Sequence, residues 1–372
     1  METTDDAELK PSINPSLPNL LETGQVYCLD GHRGAVVADK GDMGQMQDIS
    51  EVFPPKPNFR LEELPDLSGK VSIVTGANTG IGKATCAELL KKNCRVNLDL
   101  PENKVYMAAR SEKKAQTAIQ DLKASTGHTN VYFLKLDLGD LTTIKGTVAE
   151  YLSKEKELHL LFNNAGVMKT PEGSKTAQGY EQQLGVNALG PYLLTHLLLP
   201  TMESTAIASS SEAQRKGYNI VRIINVSSNL HQHLAPKGGF NFKDPNIGHR
   251  KPWTSYGQSK YLNVVHSLGL ARRYGAVGIT SHALNPGIIG TELIRHSTWY
   301  EQAFLRRLFQ PLSLGCLTPL YAGLAPEAGK PEANGSYYIP WGRKGEPRPD
   351  IKKAGVVDRI WEWMDKETAQ YQ

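Results

Sequence analysis

Seven short runs rich in β-branched and apolar residues recur along this chain: "KVSIVTG", "KVYMAAR", "VYFLKLDL", "LHLLFNNAG", "IVRIINVSS", "GITSHALNPG" and "GSYYIPWG". Between them lie stretches of helical character such as "GIGKATCAELLKK", "EKKAQTAIQDLKAS", "LTTIKGTVAEYLSKE" and "YGQSKYLNVVHSLGLARRYG". A strand that is apolar almost throughout is buried on both faces, and a helix between two such strands serves as their crossover. The pattern therefore predicts an α/β chain with a doubly wound parallel sheet of about seven strands and helices on both faces. With 372 residues, one large core with tails is simpler than two domains, since single cores stop growing near about 250 to 300 residues.

Residues 1–52 show no sustained periodicity and are rich in Pro, Gly and Asp, as in "PSINPSLPNL" and "DKGDMGQ". They are expected to form a disordered extension, with translation from Met43 or Met46 as the alternative. Residues 53–345 then make the main α/β domain, and 346–372 a helical tail whose Trp361 and Trp363 dock on the core. Two segments break the alternation. "CRVNLDLPEN", after the first helix, is either a surface excursion or an exon-edge error, because loop additions cost little. Asn229–Thr254 is long for a connector, which marks it as a candidate for shaping a binding site.

Composition excludes several classes. Hydrophobic residues make up 40% and charged ones 22%, ordinary for a soluble globular protein. No apolar run reaches the roughly 18 residues of a membrane span, and the acidic start "METTDDAELK" is unlike a secretory signal, so a cytoplasmic protein is expected. The first 50 residues carry nine acids and three bases, leaving a net +10 on the remainder. That suits an anionic cofactor, while the lack of basic clusters interleaved with aromatics argues against nucleic acid. Cys28, Cys86, Cys94 and Cys316 have neither CxxC nor metal-ligand spacing and read as reduced structural thiols. His231 and His233 have no third ligand nearby and read as solvated surface or pocket lining, so no metal is expected.

Two motifs carry chemistry. In "TGANTGIGK", Gly76, Gly80 and Gly82 sit between the first strand and the first helix. Small residues there let the backbone approach a pyrophosphate whose charge the helix N-terminus meets. In "SYGQSKYLNVV", Tyr256 and Lys260 are four residues apart, so a helix places both on one face. They are either a surface pair or a phenol held beside an ammonium. A free tyrosine, with a pKa of about 10, is a poor base, and a cation within about 4 to 6 Å favours its phenolate.

In chain order, TGxxxGIG, "NNAG" at 163–166, "VSS" at 226–228, YxxxK at 256–260 and "NPGIIGT" at 285–291 resemble the classical short-chain dehydrogenase/reductase family over roughly residues 68–345. The texture of "AARSEKK", "FNNAGVM" and "YGQSK" is similar to its retinol-dehydrogenase-like fungal subgroup. The resemblance implies a Rossmann-type fold and hydride transfer between a nicotinamide and an alcohol or carbonyl. Tyr256 would be the acid/base, and Lys260 its cationic neighbour and a partner of the nicotinamide ribose. Ser228 would hold the substrate oxygen, with Ser227 as the competing assignment. Asn187 would hold a water of the proton relay, or else belong to a capped or kinked helix interior. The 28-residue step from Ser228 to Tyr256 is wider than in compact members, so the substrate pocket follows from the resemblance least.

For the cofactor, the resemblance implies contacts from Gly76, Gly80, Ile81 and Gly82. It also implies adenine contact from Asp137, adenosine-ribose contact from Asn164, and nicotinamide and phosphate contacts from Ile289 and Thr291. Asp137 also reads as a helix cap. Arg110 follows the second strand where an acid would select NAD, and Lys83 adds charge, so NADP is expected in preference to NAD. The expected partner is a small, apolar alcohol or carbonyl compound, and the chain is a monomer or homo-oligomer. The apolar guess comes from "IRHSTWYEQAFLRRLFQPL". The alternative function is a non-catalytic NADP-sensing protein. An epimerase or dehydratase would need another glycine spacing and a larger C-terminal domain.

Overall fold

The computed structural model describes residues 27–29, 35–37, 47–92, 101–247, 251–293, 302 and 307–372. Met43 and Met46, most of "CRVNLDLPEN", residues 248–250 of the long connector and most of "IRHSTWYEQAFLRRLFQPL" lie outside the described residues. The chain forms two compact units, Met1–Asp48 and Ile49–Gln372. In the first, Tyr27–Leu29 pairs antiparallel with Ala35–Val37. The second begins a few residues before the boundary expected at 53, and Glu51 is buried within it.

The second unit is built on one sheet of eight strands. They are β1 (Val71–Thr75), β2 (Lys104–Ala109), β3 (Val131–Lys135), β4 (Leu160–Asn163), β5 (Val221–Val226), β6 (Ile279–Leu284), β7 (Tyr337–Ile339) and β8 (Arg343–Gly345). Their spatial order is β8-β7-β6-β5-β4-β1-β2-β3, and every pair is parallel except β7 with β8. This is the doubly wound, Rossmann-type architecture that the alternation predicts. The strand beyond the expected seven, "RKG", is short and polar and carries no apolar signal. Strands β1, β5 and β6 are buried along their whole length, as a sheet covered on both faces requires. The order reverses between β1 and β4, so a crevice opens at their carboxyl ends.

Helices α1 (Gly80–Lys91), α2 (Glu112–Thr126), α3 (Leu141–Lys154), α4 (Gly190–Ala208), α5 (Pro252–Tyr274), α6 (Leu317–Leu324) and α7 (Val356–Thr368) cover the two faces. Their boundaries follow local chemistry. Ser111 caps α2 by accepting from Lys114 N, and Gly127 ends that helix in the left-handed region. The buried side of α2 is Ala115, Ala118, Ile119 and Leu122, a three-and-four spacing. Helix α5 is different: every residue from Ser255 to Ser267 is buried, although many are polar. Their polar groups are satisfied inside the protein. Gln258 donates to Pro245 O and accepts from Asn241 N, while Asn263 donates to Val226 O. Ser267 Oγ accepts from Asn225, which accepts in turn from Asn163. Trp361 of α7 docks on α5 at Gly269, where an added methyl group would come within 2.3 Å of the indole.

Three of the four buried histidines among the described residues are held neutral by strong downward shifts. Burial, aided by the Lys70 charge, holds His159 at about 4, and burial holds His266 and His282 at about 3, against an ordinary 6.5. The unfolded chain therefore takes up protons below pH 6.5 that the folded chain refuses. Their contribution is full above that value and falls as pH drops through the window from about 6.5 to about 4 for His159 and to about 3 for the other two, each ring contributing at most about 1.4 kcal/mol per pH unit. Urea midpoints should fall clearly between pH of about 7 and about 5; equal midpoints would contradict neutral burial.

Candidate active site

The crevice at the carboxyl ends of β1 and β4 is built first by glycine. Gly80, at φ +56, opens α1. A Cβ on Gly82 would come within 2.6 Å of Asn164 Nδ2 and 2.8 Å of Gly76 O, so only glycine lets α1 start this close to the turn. Thr79, at the helix N-cap, makes no side-chain cap bond, which leaves the first-turn N–H groups of α1 uncapped by their own residue. A dinucleotide pyrophosphate fits that end: the amides and the helix dipole supply the positive counterpart.

Thr75 ties this turn to "NNAG". Its hydroxyl accepts from Asn164 N (3.0 Å) and Ala165 N (2.9 Å), and its carbonyl accepts from Asn164 Nδ2 (2.8 Å). The loop after β6 closes over the same place. A Cβ on Gly80 would lie 3.2 Å from Thr291, and one on Gly315 would touch both Ile289 and Ile81. Gly76, Gly80, Ile81, Gly82, Asn164, Ile289 and Thr291 are thus neighbours around one end of the sheet.

Tyr256 and Lys260 lie in the buried part of α5, 3% and 4% exposed, not on a solvated surface. The Lys260 ammonium donates to Val226 O at 2.8 Å and lies 5.6 Å from the centre of the Tyr256 ring. Ser228, where the chain leaves β5, lies on the Tyr256 side and its hydroxyl pulls against the rise of the tyrosine pKa, while that hydroxyl donates to Asn229 Oδ1 at 3.4 Å and accepts from Leu230 N at 3.3 Å. Ser227 is directed elsewhere: it is buried, and its hydroxyl donates to Lys260 O at 2.7 Å. Of the two serines, Ser228 is the one that meets the tyrosine.

Asn187 is fully buried in the π-helical turn Gly185–Leu189, a widened geometry frequent at functional sites. Its amide donates to Val167 O and Ser259 Oγ and accepts from Val167 N. A Cβ on Gly166 would fall 3.3 Å from Asn187 Oδ1 and 3.4 Å from Lys260 Nζ, so the asparagine and the lysine flank one glycine.

The electrostatics differ from the sequence expectation on one point. Burial raises the Tyr256 pKa above its usual value, opposed by the Ser228 hydroxyl. Burial, not Lys260, sets the direction for the tyrosine, and burial likewise pushes Lys260 itself down to about 8. Lys83, next to the glycine turn in sequence, pairs its ammonium with Asp121 Oδ2 of α2 at 2.7 Å. Asp140, not Asp137, caps α3 by accepting from Thr142 N. Asp137 instead accepts from Gly139 N at 2.9 Å. Arg110 is exposed at the end of β2, its carbonyl held by Lys135 Nζ.

Sequence reasoning missed several contributors. Asn285, which opens "NPGIIGT", donates to the buried Glu51 carboxylate at 2.6 Å across 234 residues of chain, and Arg343 holds the adjacent Ser50 carbonyl. Ser259 bridges Asn187 to Tyr256 O. His231 is fully buried, so of the two readings, solvated surface or pocket lining, the first does not hold. A lone polar residue gives no sequence signal for such long-range pairing.

A glycine turn at a sheet switch point, with a buried tyrosine and lysine and a half-buried serine alongside, belongs to the nicotinamide-dependent dehydrogenases and reductases. The short chain dehydrogenase family model matches residues 70–239. A short-chain dehydrogenase/reductase of Armillaria gallica is 43% identical over 326 residues, 87% of this chain and 97% of that protein. Retinol dehydrogenase 12 of Bos taurus is 37% identical over 305 residues, covering 79% and 85%. An uncharacterized protein from Mycobacterium Paratuberculosis superposes with a TM-score of 0.60 at 25% identity, over 84% of this chain and 98% of that one. The NADPH-bound carbonyl reductase from chicken fatty liver shares the fold at a TM-score of 0.55 and 23% identity, over 76% and 100%. The chain belongs to the short-chain dehydrogenase/reductase family and is an NAD(P)-dependent oxidoreductase. Among the described residues, no helix is long and apolar enough to cross a membrane, and no group of three His, Cys, Asp or Glu could hold a metal.

Proposed function

We propose that the protein reduces the carbonyl of a small apolar ketone or aldehyde with NADPH, and oxidises the matching alcohol in reverse. The observation that carries this is the buried Tyr256 with the Lys260 ammonium 5.6 Å from its ring centre and Ser228 on its hydroxyl side. A substrate oxygen entering between the two hydroxyls receives a hydrogen bond from Ser228 and the proton of Tyr256. The bound nicotinamide supplies the hydride to the carbonyl carbon. Burial keeps the phenol protonated at neutral pH, the state needed for an acid in reduction. The lysine, at about 8, stays largely charged at pH 7 and favours the phenolate left after proton transfer. Asn187, fixed through Val167 and Ser259, holds a water from which the tyrosine is reprotonated.

Exposed Arg110, at a strand end without an acid, supports the choice of NADPH through the 2′-phosphate. Asp137 meets the adenine. The name of the bovine relative supports an apolar substrate class. The test is NADPH consumption against a panel of ketones and aldehydes of graded size and polarity, with NADPH binding measured in parallel. Turnover of an apolar member is expected. Tight binding without turnover of any carbonyl or alcohol would favour a non-catalytic nucleotide sensor instead.

A further inference from the structure

His231 sits three residues beyond Ser228 in the short helix Leu230–His233, fully buried, with its ring 5.0 Å from that of Tyr337. Its two nitrogens have partners of opposite kind. Nδ1 lies 2.6 Å from Ser228 O, a pure acceptor, and Nε2 lies 3.2 Å from Arg348 N, whose hydrogen it must accept. Only one form satisfies both: the neutral ring with its proton on Nδ1. The histidine therefore donates to the backbone of the residue whose side chain meets Tyr256.

Arg348 carries the connection onward. Its guanidinium donates to Ala235 O and Pro236 O, both at 2.9 Å, and pairs with Asp350 at 2.8 Å. Asp350 accepts from the Tyr261 hydroxyl at 3.3 Å, and Tyr261 directly follows Lys260 in α5. The segment after β8 thus touches the site from two sides: the serine side through His231 and the tyrosine side through Tyr261. It also holds the first turns of the long connector after β5.

We propose that His231, seated by Arg348, is a positioning residue of the hydride-transfer site, holding the Ser228 backbone so that its hydroxyl faces Tyr256. The proposal rests on the reading of Ser228 and Tyr256 given above, and extends it to a residue that touches neither substrate nor cofactor. The chain beyond β8 is then part of the catalytic geometry.

The test is a double-mutant cycle on kcat with Ser228→Ala, using His231→Gln and His231→Asn. Asparagine keeps a donor at the Nδ1 position, whereas glutamine places its amide at Nε2 and loses the bond to Ser228 O. His231→Gln should lower kcat about tenfold, with KM for NADPH within about twofold, and His231→Asn should recover most of the loss. In the Ser228→Ala background, His231→Gln should have almost no further effect, because the histidine acts through the serine. Additive losses, or equal losses for Gln and Asn, would overturn the positioning role and leave a merely structural one. A Ser228→Ala variant with full activity would instead overturn the underlying reading of the site.

Discussion

Tyr256→Phe should lower kcat by about 10²- to 10⁴-fold, the usual contribution of a positioned general acid, while the dissociation constant for NADPH stays unchanged. The substitution removes one oxygen from a ring that is 3% exposed and leaves the ring volume in place. The Ser228 hydroxyl beside it has partners of its own in Asn229 Oδ1 and Leu230 N, so the folded protein loses little. A carbonyl accepting hydride without a proton donor must develop a full alkoxide, which Ser228 alone stabilises poorly. Stopped turnover with intact binding, read by NADPH fluorescence titration, is the expected pattern. Activity within a few-fold of the parent would remove the tyrosine from the mechanism and the proposed reaction with it.

Arg110→Ala should raise the KM for NADPH by about 10- to 100-fold and leave that for NADH nearly unchanged. The figure is the loss of about 1.5 to 3 kcal/mol for a hydrogen bond between charged partners, with tenfold equivalent to about 1.4 kcal/mol. The side chain is exposed at the end of β2, so its removal should leave folding intact. With Lys83 paired to Asp121, Arg110 is the remaining cation of the two that argued for NADP. Equal losses for both cofactors would mean that the arginine does not read the phosphate. A parent enzyme that prefers NADH would overturn the choice of NADP directly.

Much of this architecture was legible in the sequence because it repeats. Strand burial on both faces forces continuous apolar runs such as "VSIVT", and the glycine turn is confined to glycine by contacts under 3 Å. Tyr256 and Lys260 were legible through their helical spacing and their place in the order of motifs. What escaped was non-periodic. The three-residue "RKG" strand exists because β7 offers it an edge, not because its side chains favour one. Lys83 stands beside the glycine turn in sequence, yet helical geometry carries its ammonium to Asp121 on the neighbouring helix. The Tyr256 pKa moves upward through desolvation, which depends on everything packed around α5 and not on the spacing of two residues. His231 looked solvated because its partners, the Ser228 carbonyl and an amide 117 residues on, are backbone groups that leave no mark on composition.

The buried contact between Asn285 and Glu51 bears on where this protein can be cut or recombined. All five motifs lie after residue 70, and a chimera or truncated form beginning at Phe53 would contain every one of them. It would nevertheless leave the Asn285 amide, 4% exposed, facing the gap where the Glu51 carboxylate had been. An unsatisfied buried donor costs about 1 to 3 kcal/mol, and here it would fall at the root of the loop that carries Ile289 and Thr291. The unit that evolution or an engineer can transplant is therefore longer than the unit that motifs define, and it reaches back at least to the acid at position 51.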